Sequence, residues 1–422
     1  MPRFSAIFRY LVLASSVLAI AWQTAQAGDG GSTYSLLGIG DLRYLPSVRA
    51  AGMGYTGLGV IADDYINSLS PAAASRINRT RLDASIFYEG FNSTDGTRSR
   101  YLAKADFGGA MLAVPVAQSQ GIVITAGFMP YSKVNYDSYS QGAYQNGPDS
   151  LGYTIHYLGS GGITRGTAGL SWTPFGGVTV GAALNYLFGS VDRSSVVTLT
   201  GGFAGGTTTH TQTVSGVTGT FAAQLTGFGR ISPALEPLSL GMVITSRGNL
   251  HSNDQASYVF AAELDTAEGV ANRIVLPIAY GVGSAYVAGN RYLLAADYSA
   301  QPWSKSEING ITPYGIRNAQ RFGIGAERMA SRERATSWLD RIAYRLGYTY
   351  DATYYALNGT TINAWSLTGG LGLPFSGESR MNLALEYGVR GTIAGGLVKD
   401  KFLRILISIN LSEQWFVPYP EE

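Results

Sequence analysis

The clearest pattern in the chain lies near its C-terminal end. In "FLRILISINLSEQWF", beginning at Phe402, the alternate positions Leu403, Ile405, Ile407, Ile409 and Leu411 are apolar, while Arg404, Ser408, Asn410 and Ser412 fall between them. Successive side chains of a strand point to opposite faces, so the segment predicts a strand with one greasy and one polar face. The same period of two recurs upstream. Ile342, Tyr344, Leu346, Tyr348 and Tyr350 oppose Arg341, Arg345, Thr349 and Asp351. Met381, Leu383, Leu385, Tyr387 and Val389 oppose Asn382, Glu386 and Arg390, and Val178, Val180, Ala182, Leu184, Tyr186 and Phe188 oppose Thr179, Gly181, Asn185 and Gly189. Tyrosines fall toward the ends of several apolar faces, where a phenol would sit at headgroup level.

Parsing by this rule predicts fourteen strands, near 82–91, 105–116, 121–137, 152–173, 177–200, 207–231, 235–261, 272–289, 291–303, 316–328, 341–354, 360–373, 379–394 and 401–415. The connections alternate in length. Those at 117–120, 174–176, 232–234, 290 and 374–378 are short, whereas 92–104, 138–151, 262–271, 304–315 and 395–400 are longer. The segment 329–340, "MASRERATSWLD", falls where a short turn is due and is long.

Composition decides which kind of strand protein this is. Only 14% of residues are charged, with 55 glycines and 27 tyrosines, a profile that suits a surface facing lipid better than one facing water. After Ala27 no run approaches 18 consecutive apolar residues, so helical spanning is excluded and a closed barrel is the remaining way to satisfy the backbone in hydrocarbon. Short turns at one end, long loops at the other and an even strand count predict an all-β fold: a transmembrane antiparallel β-barrel of about 14 strands in the outer membrane of a Gram-negative bacterium, with both termini in the periplasm. A net charge of +2 offers no nucleic-acid footprint. With no cysteine there is no disulfide, thiolate chemistry or lipid-anchored thiol.

Residues 1–27 read as an export signal: Arg3 and Arg9, then "YLVLASSVLAIA" from Tyr10 to Ala21, then Ala25-Gln26-Ala27 as a small-residue cleavage site. The apolar run would extend only about 18 Å as a helix, short of a bilayer core of about 30 Å. Residues 28–81 lack sustained alternation and are rich in Gly, Ala and Ser. A fourteen-strand lumen needs filling if it is not to be an open pore, so this segment is read as an N-terminal hatch plugging the barrel of 82–416, with 417–422 a periplasmic tail.

Inside the hatch, Gly52, Gly54 and Gly57 of "AAGMGYTG" are spaced G-x-G-x-x-G. That fingerprint binds a dinucleotide only between a buried strand and a helix. Here it follows no strong strand and opens no helix, so the glycines are read as small residues that let a plug pack closely and turn with positive φ. Enzymatic readings fare no better. His156, His210 and His251 sit in no nucleophile or metal spacing, and His156 and Ser160 on one strand would stand about 13 Å apart. No catalysis, cofactor or metal is expected.

"RAAGMGYTGLGVIADDYINSLSPAAAS" (Arg49 to Ser75) resembles the hatch of the long-chain fatty-acid transporter family, the FadL/TodX type. Gly52-Met53-Gly54-Tyr55-Thr56-Gly57 matches that family's G-M-G-x-[AT]-G run, Asp63-Asp64 its acidic pair, and Ser70-Pro71-Ala72 its Asn-Pro-Ala motif with Ser in place of Asn. "GFMPYSKVNY" from Gly127, "YLGSGGITRGTAGLSWTPFGGVTVGAALNYLFG" from Tyr157 and "ISINLSEQWF" extend the resemblance over about Tyr34 to Phe416. It implies passive uptake of hydrophobic small molecules, long-chain fatty acids or aromatic hydrocarbons, by a monomer whose partners are the ligand and membrane lipid. It also implies lateral release into the bilayer through a gap at a kinked third strand. Gly127 and Pro130 are the candidates for that kink, because proline cannot donate to a ladder. The alternative is a non-transport relative that serves as a shuttle or attachment partner for secreted proteins; an open porin is a third reading.

The polar faces of the last six predicted strands carry Asp297, Arg321, Glu327, Arg341, Arg345, Asp351, Glu386, Arg390 and Arg404. Such groups avoid lipid and face the lumen. Two roles are open: ion pairs that hold the plug, or an arginine, Arg345 or Arg390, that receives a ligand carboxylate through a bidentate bond.

Overall fold

A computed structural model describes residues 28–414, apart from 30, 46, 147–148, 261–262, 332 and 334–336. The signal reading of 1–27 and the tail 417–422 lie outside the described residues. No described helix is long and apolar enough to cross a membrane.

The described residues form a closed antiparallel barrel of fourteen strands. In chain order they are β1 (Thr80–Thr94), β2 (Ser99–Ala117), β3 (Ile122–Lys133, continued by Tyr136–Asn146), β4 (Asp149–Phe175), β5 (Val178–Leu199), β6 (Gly206–Leu225) and β7 (Leu238–Thr245, continued by Gly248–Phe260). There follow β8 (Glu263–Leu276, continued by Ala279–Ala288), β9 (Tyr292–Gln301), β10 (Ala319–Arg328), β11 (Ala343–Leu357), β12 (Thr360–Ser376), β13 (Ser379–Gly391) and β14 (Lys399–Glu413). Closure is made by β14 on β1, from Lys399 opposite Thr94 to Glu413 opposite Thr80.

Alternation decides which way each strand faces. Leu346 is 67% exposed on the outer wall while its neighbour Arg345 is 7% exposed inside. Leu82, Ile86, Leu170, Leu184, Leu367 and Leu385 likewise face outward, giving the apolar belt of a membrane barrel. Strands run farther than their apolar faces do. The predicted loops 138–151 and 262–271 are largely strand, paired as hairpins β3–β4 and β7–β8, because ladder hydrogen bonds above the membrane need no greasy face. The turn predicted at 232–234 is a longer connection bearing two 3-10 turns, Phe228–Arg230 and Pro233–Leu235. The described residues of the segment 329–340 add no strand. Its described end is the 3-10 turn Trp338–Arg341, where Asp340 accepts from Arg291 and Arg328. Arg341 is therefore exposed at the short-turn end, outside the lumen in which its parity placed it.

Residues 31–79 fold inside the bore. A short helix, Val48–Ala51, is capped by the Ser47 hydroxyl accepting from the Ala50 N–H. A 3-10 turn, Pro71–Arg76, packs against β4, β5 and β6. Between them the chain meets the barrel backbone to backbone. Gly54 has φ +65° and donates its N–H to Thr368 Oγ1 at 2.9 Å, while its carbonyl accepts from Thr349 Oγ1 at 3.0 Å. A Cβ at Gly54 would lie 2.6 Å from the Ile324 and Tyr348 carbonyl oxygens, and one at Gly347 on β11 would lie 2.1 Å from the Gly54 nitrogen. Neither position has room for a side chain. We predict that Gly347→Ala overpacks this contact by about 1–3 kcal/mol, measured as a lower urea midpoint for the folded barrel, with a rise in planar-bilayer conductance where the segment is displaced.

Candidate functional site

The site is a lumenal cavity of about 190 Å³. Its floor is the N-terminal segment, through Gly54, Tyr55, Leu58, Asn67 and Pro71. Above it an apolar cluster fills the bore: Tyr34 and Ile39 pack with Leu187, Leu276, Trp303, Tyr354 and Tyr355, the last three joined ring to ring at 4.8 and 4.3 Å. Below the floor, toward the short-turn end, a wider vestibule of about 630 Å³ is lined by Arg49, Asp63, Asp64, Glu327 and Arg345. The N-terminal segment is thus a septum between cavity and vestibule.

Charge pairing anchors that septum. Glu327 bridges Arg49 Nη2 at 2.5 Å and Arg345 Nε at 2.9 Å, and Asp64 takes Arg49 Nη1 at 2.9 Å. Burial alone would lower the Arg49 pKa, but the Glu327 and Asp64 carboxylates hold it above the ordinary arginine value. Higher up, Arg43 forms a fork to Glu89 at 2.7 and 2.9 Å. Arg404 ties Glu89 to Glu386, whose other partner is the Tyr55 hydroxyl. Arg390 joins Asp41, at 2.8 Å, to Asp400, at 3.2 Å. Arg321 lies between the Tyr44 and Tyr55 rings, 4.7 and 4.5 Å from their centroids, and 3.7 Å from Asp351. Asp297 Oδ2 accepts from the Gly57 and Leu58 N–H groups at 2.7 and 2.9 Å.

Of the hatch candidates, Gly52 lies against Gly370, Met53 is buried under β10, and Gly54 and Gly57 are anchored as described. Asp63 presents its carbonyl to Arg81 at 2.7 Å, and Asp64 holds Arg49. Ser70, Pro71 and Ala72 form the buried start of the 3-10 turn, with the Ser70 hydroxyl making no cap bond. Arg345 and Arg390 are both engaged by carboxylates and neither lines the cavity. Gly127 pairs with Met111, while Pro130 sits at a β-bulge opposite Thr164. The β2–β3 ladder ends at Ala110–Phe128, just before Pro130. Beyond it, β2 pairs with Gly28–Asp29 and β3 with Asp41–Leu42 of the N-terminal segment.

Sequence reasoning missed Arg165. It stands on β4 opposite Met129 and lines the cavity with Thr125, Tyr131 and Thr167. Its Nη2 contacts Met129 Sδ at 2.8 Å, its Nε is buried without a hydrogen-bond partner, and no carboxylate lies within salt-bridge distance among the described residues. The signal was present: "GITRGTAGL" places a lone charge on an inward position with no acid among its cross-strand partners.

The sequence matches the family model described as BamG over residues 7–419. The chain belongs to that family. No curated protein sequence matches it. Among solved structures it is similar to the Ralstonia pickettii toluene transporter TbuX, with 16% identity, a TM-score of 0.58 and coverage of 86% of this chain and 97% of that one. The CymD monoaromatic hydrocarbon channel gives 15% identity and a TM-score of 0.58 over 90% and 100% of the two chains. A Pseudomonas aeruginosa FadL homologue gives 11% and 0.55 over 86% and 97%. At these identities the likeness is one of fold.

Removing one partner of a buried ion pair strands the other charge, at a cost of about 3–5 kcal/mol. Glu327→Gln, which strands the Arg345 charge and leaves Arg49 only Asp64, is therefore expected to destabilise the folded barrel by that order, read from urea unfolding in detergent, whereas Arg341→Gln at the exposed turn changes nothing measurable.

Proposed function

We propose that this chain is an outer-membrane channel for hydrophobic small molecules, residues 28–81 acting as its hatch, and that it holds in its lumen an amphiphile with an anionic head and an apolar body. The observation that carries this reading is the Arg165 guanidinium, without a carboxylate partner, in a mainly apolar lumenal cavity. A buried guanidinium without an acid is costly, and a ligand carboxylate would supply the missing acceptor for its bidentate face. Size supports a compact ligand: a dry cavity of about 150 Å³ takes benzene, so about 190 Å³ fits one ring or a short stretch of acyl chain.

The septum below bars a straight axial path, and an apolar molecule gains nothing by entering the periplasm when hydrocarbon lies beyond the wall. Release is therefore proposed to be lateral, at the parting of β2 and β3 beside Gly127 and Pro130, once residues 28–42 leave it. The alternative role as a partner of secreted proteins would leave the cavity without a recurrent occupant.

Binding of an alkyl-substituted benzoate and of its uncharged ester to the detergent-solubilised protein tests the reading. A hydrogen bond to a charged group is worth about 1.5–3 kcal/mol, so Arg165→Met is expected to weaken the acid by about tenfold to a hundredfold and to leave the ester within about twofold. Equal affinities of wild type and variant for the acid would refute it, and binding of neither compound by wild type would favour the partner role.

A further inference from the structure

The wall has a second discontinuity, bordering the same cavity. β7 is interrupted at Ser246-Arg247 and β8 at Pro277-Ile278, and the two breaks face each other: the ladder runs to Thr245–Ala279, stops, and resumes at Gly248–Leu276. Pro277 has no N–H to give. The β8–β9 ladder also ends here, at Tyr280–Ala300, and strand pairing on that side resumes only where Ile274 and Val275 meet Ile308 and Glu307. One side-chain bond spans the interval, from Gln301 Nε2 to the Pro277 carbonyl at 3.0 Å. On its far flank β7 stays attached to β6, the Ser246 N–H donating to the Gly219 carbonyl at 2.8 Å. The opening in the ladder therefore lies between β7, β8 and β9.

Position gives the break a use. Its inner lip, Thr245, Ser246, Leu276, Pro277 and Ala279, lines the same cavity as Arg165. Its outer lip carries the exposed Ile244, Ile278 and Tyr280, with the exposed Arg247 at the break itself. Aligned breaks in neighbouring strands re-aim a wall rather than merely weaken it. Here they leave two segments of chain, without a ladder between them, between the cavity and the outer face.

We propose that the facing breaks of β7 and β8 form a lateral window, latched by Gln301, through which uncharged apolar molecules of single-ring size pass between the bilayer and the cavity. It rests on the cavity being a ligand site, as proposed above, but needs neither Arg165 nor the β2–β3 parting. One cavity is then served by the arginine on β4 and by a port between β7 and β8.

The chain lacks cysteine, so Ser299→Cys places a single thiol on β9 in the cavity lining. The probe is a long-chain N-alkyl maleimide confined to the bilayer of proteoliposomes. The S299C thiol is expected to be alkylated from the membrane. Adding Gln301→Ala, which removes the latch, should speed the reaction by about fivefold, the weight of one net hydrogen bond. Adding Ala279→Trp, which fills the inner lip, should slow it by about tenfold or more, while Thr125→Trp, in the cavity lining on β3, leaves it within about twofold. Ala279→Leu serves if the tryptophan variant fails to fold. No alkylation, or rates that follow T125W and ignore A279W and Q301A, overturns the window. Uptake of toluene into the same vesicles separates the two proposals: window-dependent alkylation without uptake defeats the channel and spares the window, and uptake with window-independent alkylation does the reverse.

Discussion

Everything in this molecule depends on how a bore wider than its own lining side chains is filled. Fourteen strands enclose more space than inward-facing residues can occupy, and in a membrane barrel that space is either water or protein. Here it is protein, and the filling has to satisfy its backbone away from bulk solvent. Two devices do so. Gly54 and Gly347 bring backbone against backbone, with Thr349 and Thr368 supplying the hydrogen bonds. A chain of carboxylates and arginines, Glu327, Glu89, Glu386, Asp41 and Asp400 with Arg49, Arg43, Arg404 and Arg390, ties the segment to the wall at successive heights.

The same constraint explains why one arginine matters more than the rest. Where a lumen cation is paired with a carboxylate, the charge is structural and the pairing leaves no capacity for a ligand. Arg165 is set apart by what surrounds it: Met129, Tyr131 and two threonines in place of an acid. The cavity it faces is bounded by the septum below and the tyrosine and tryptophan cluster above. Traffic through such a space is directed to the walls, and both weak places in the ladder, beside Pro130 and beside Pro277, adjoin it.

The barrel was legible in the sequence because alternation of the kind seen from Leu403 to Leu411 and Ile342 to Tyr350 recurs in strand after strand, and the low charge content sets one face of those strands against lipid. Where lipid stops, the signal stops with it: residues 138–146 and 263–271 form strands without an apolar face, and so read as loops. Arg341 obeyed the parity of its neighbours but lies two residues before the start of the ladder, in a 3-10 turn. Glycines 52, 54 and 57 were legible as packing residues, yet their partners were not, since Gly347 and Asp297 are hundreds of positions away. Arg165 escaped notice for the opposite reason. A search for clusters of charge finds Arg345 and Arg390, whereas the chemically available guanidinium is the solitary one.

The most direct measurement is a ligand-bound structure with a heavy-atom marker. Crystals of the full chain equilibrated with a ring-brominated alkylbenzoate should show anomalous bromine signal inside the bore, above Gly54 and Tyr55, with the carboxylate on Arg165 and residues 49–76 in place. Bromine found only on the outer surface, or along the barrel axis where the septum stands, would contradict the account.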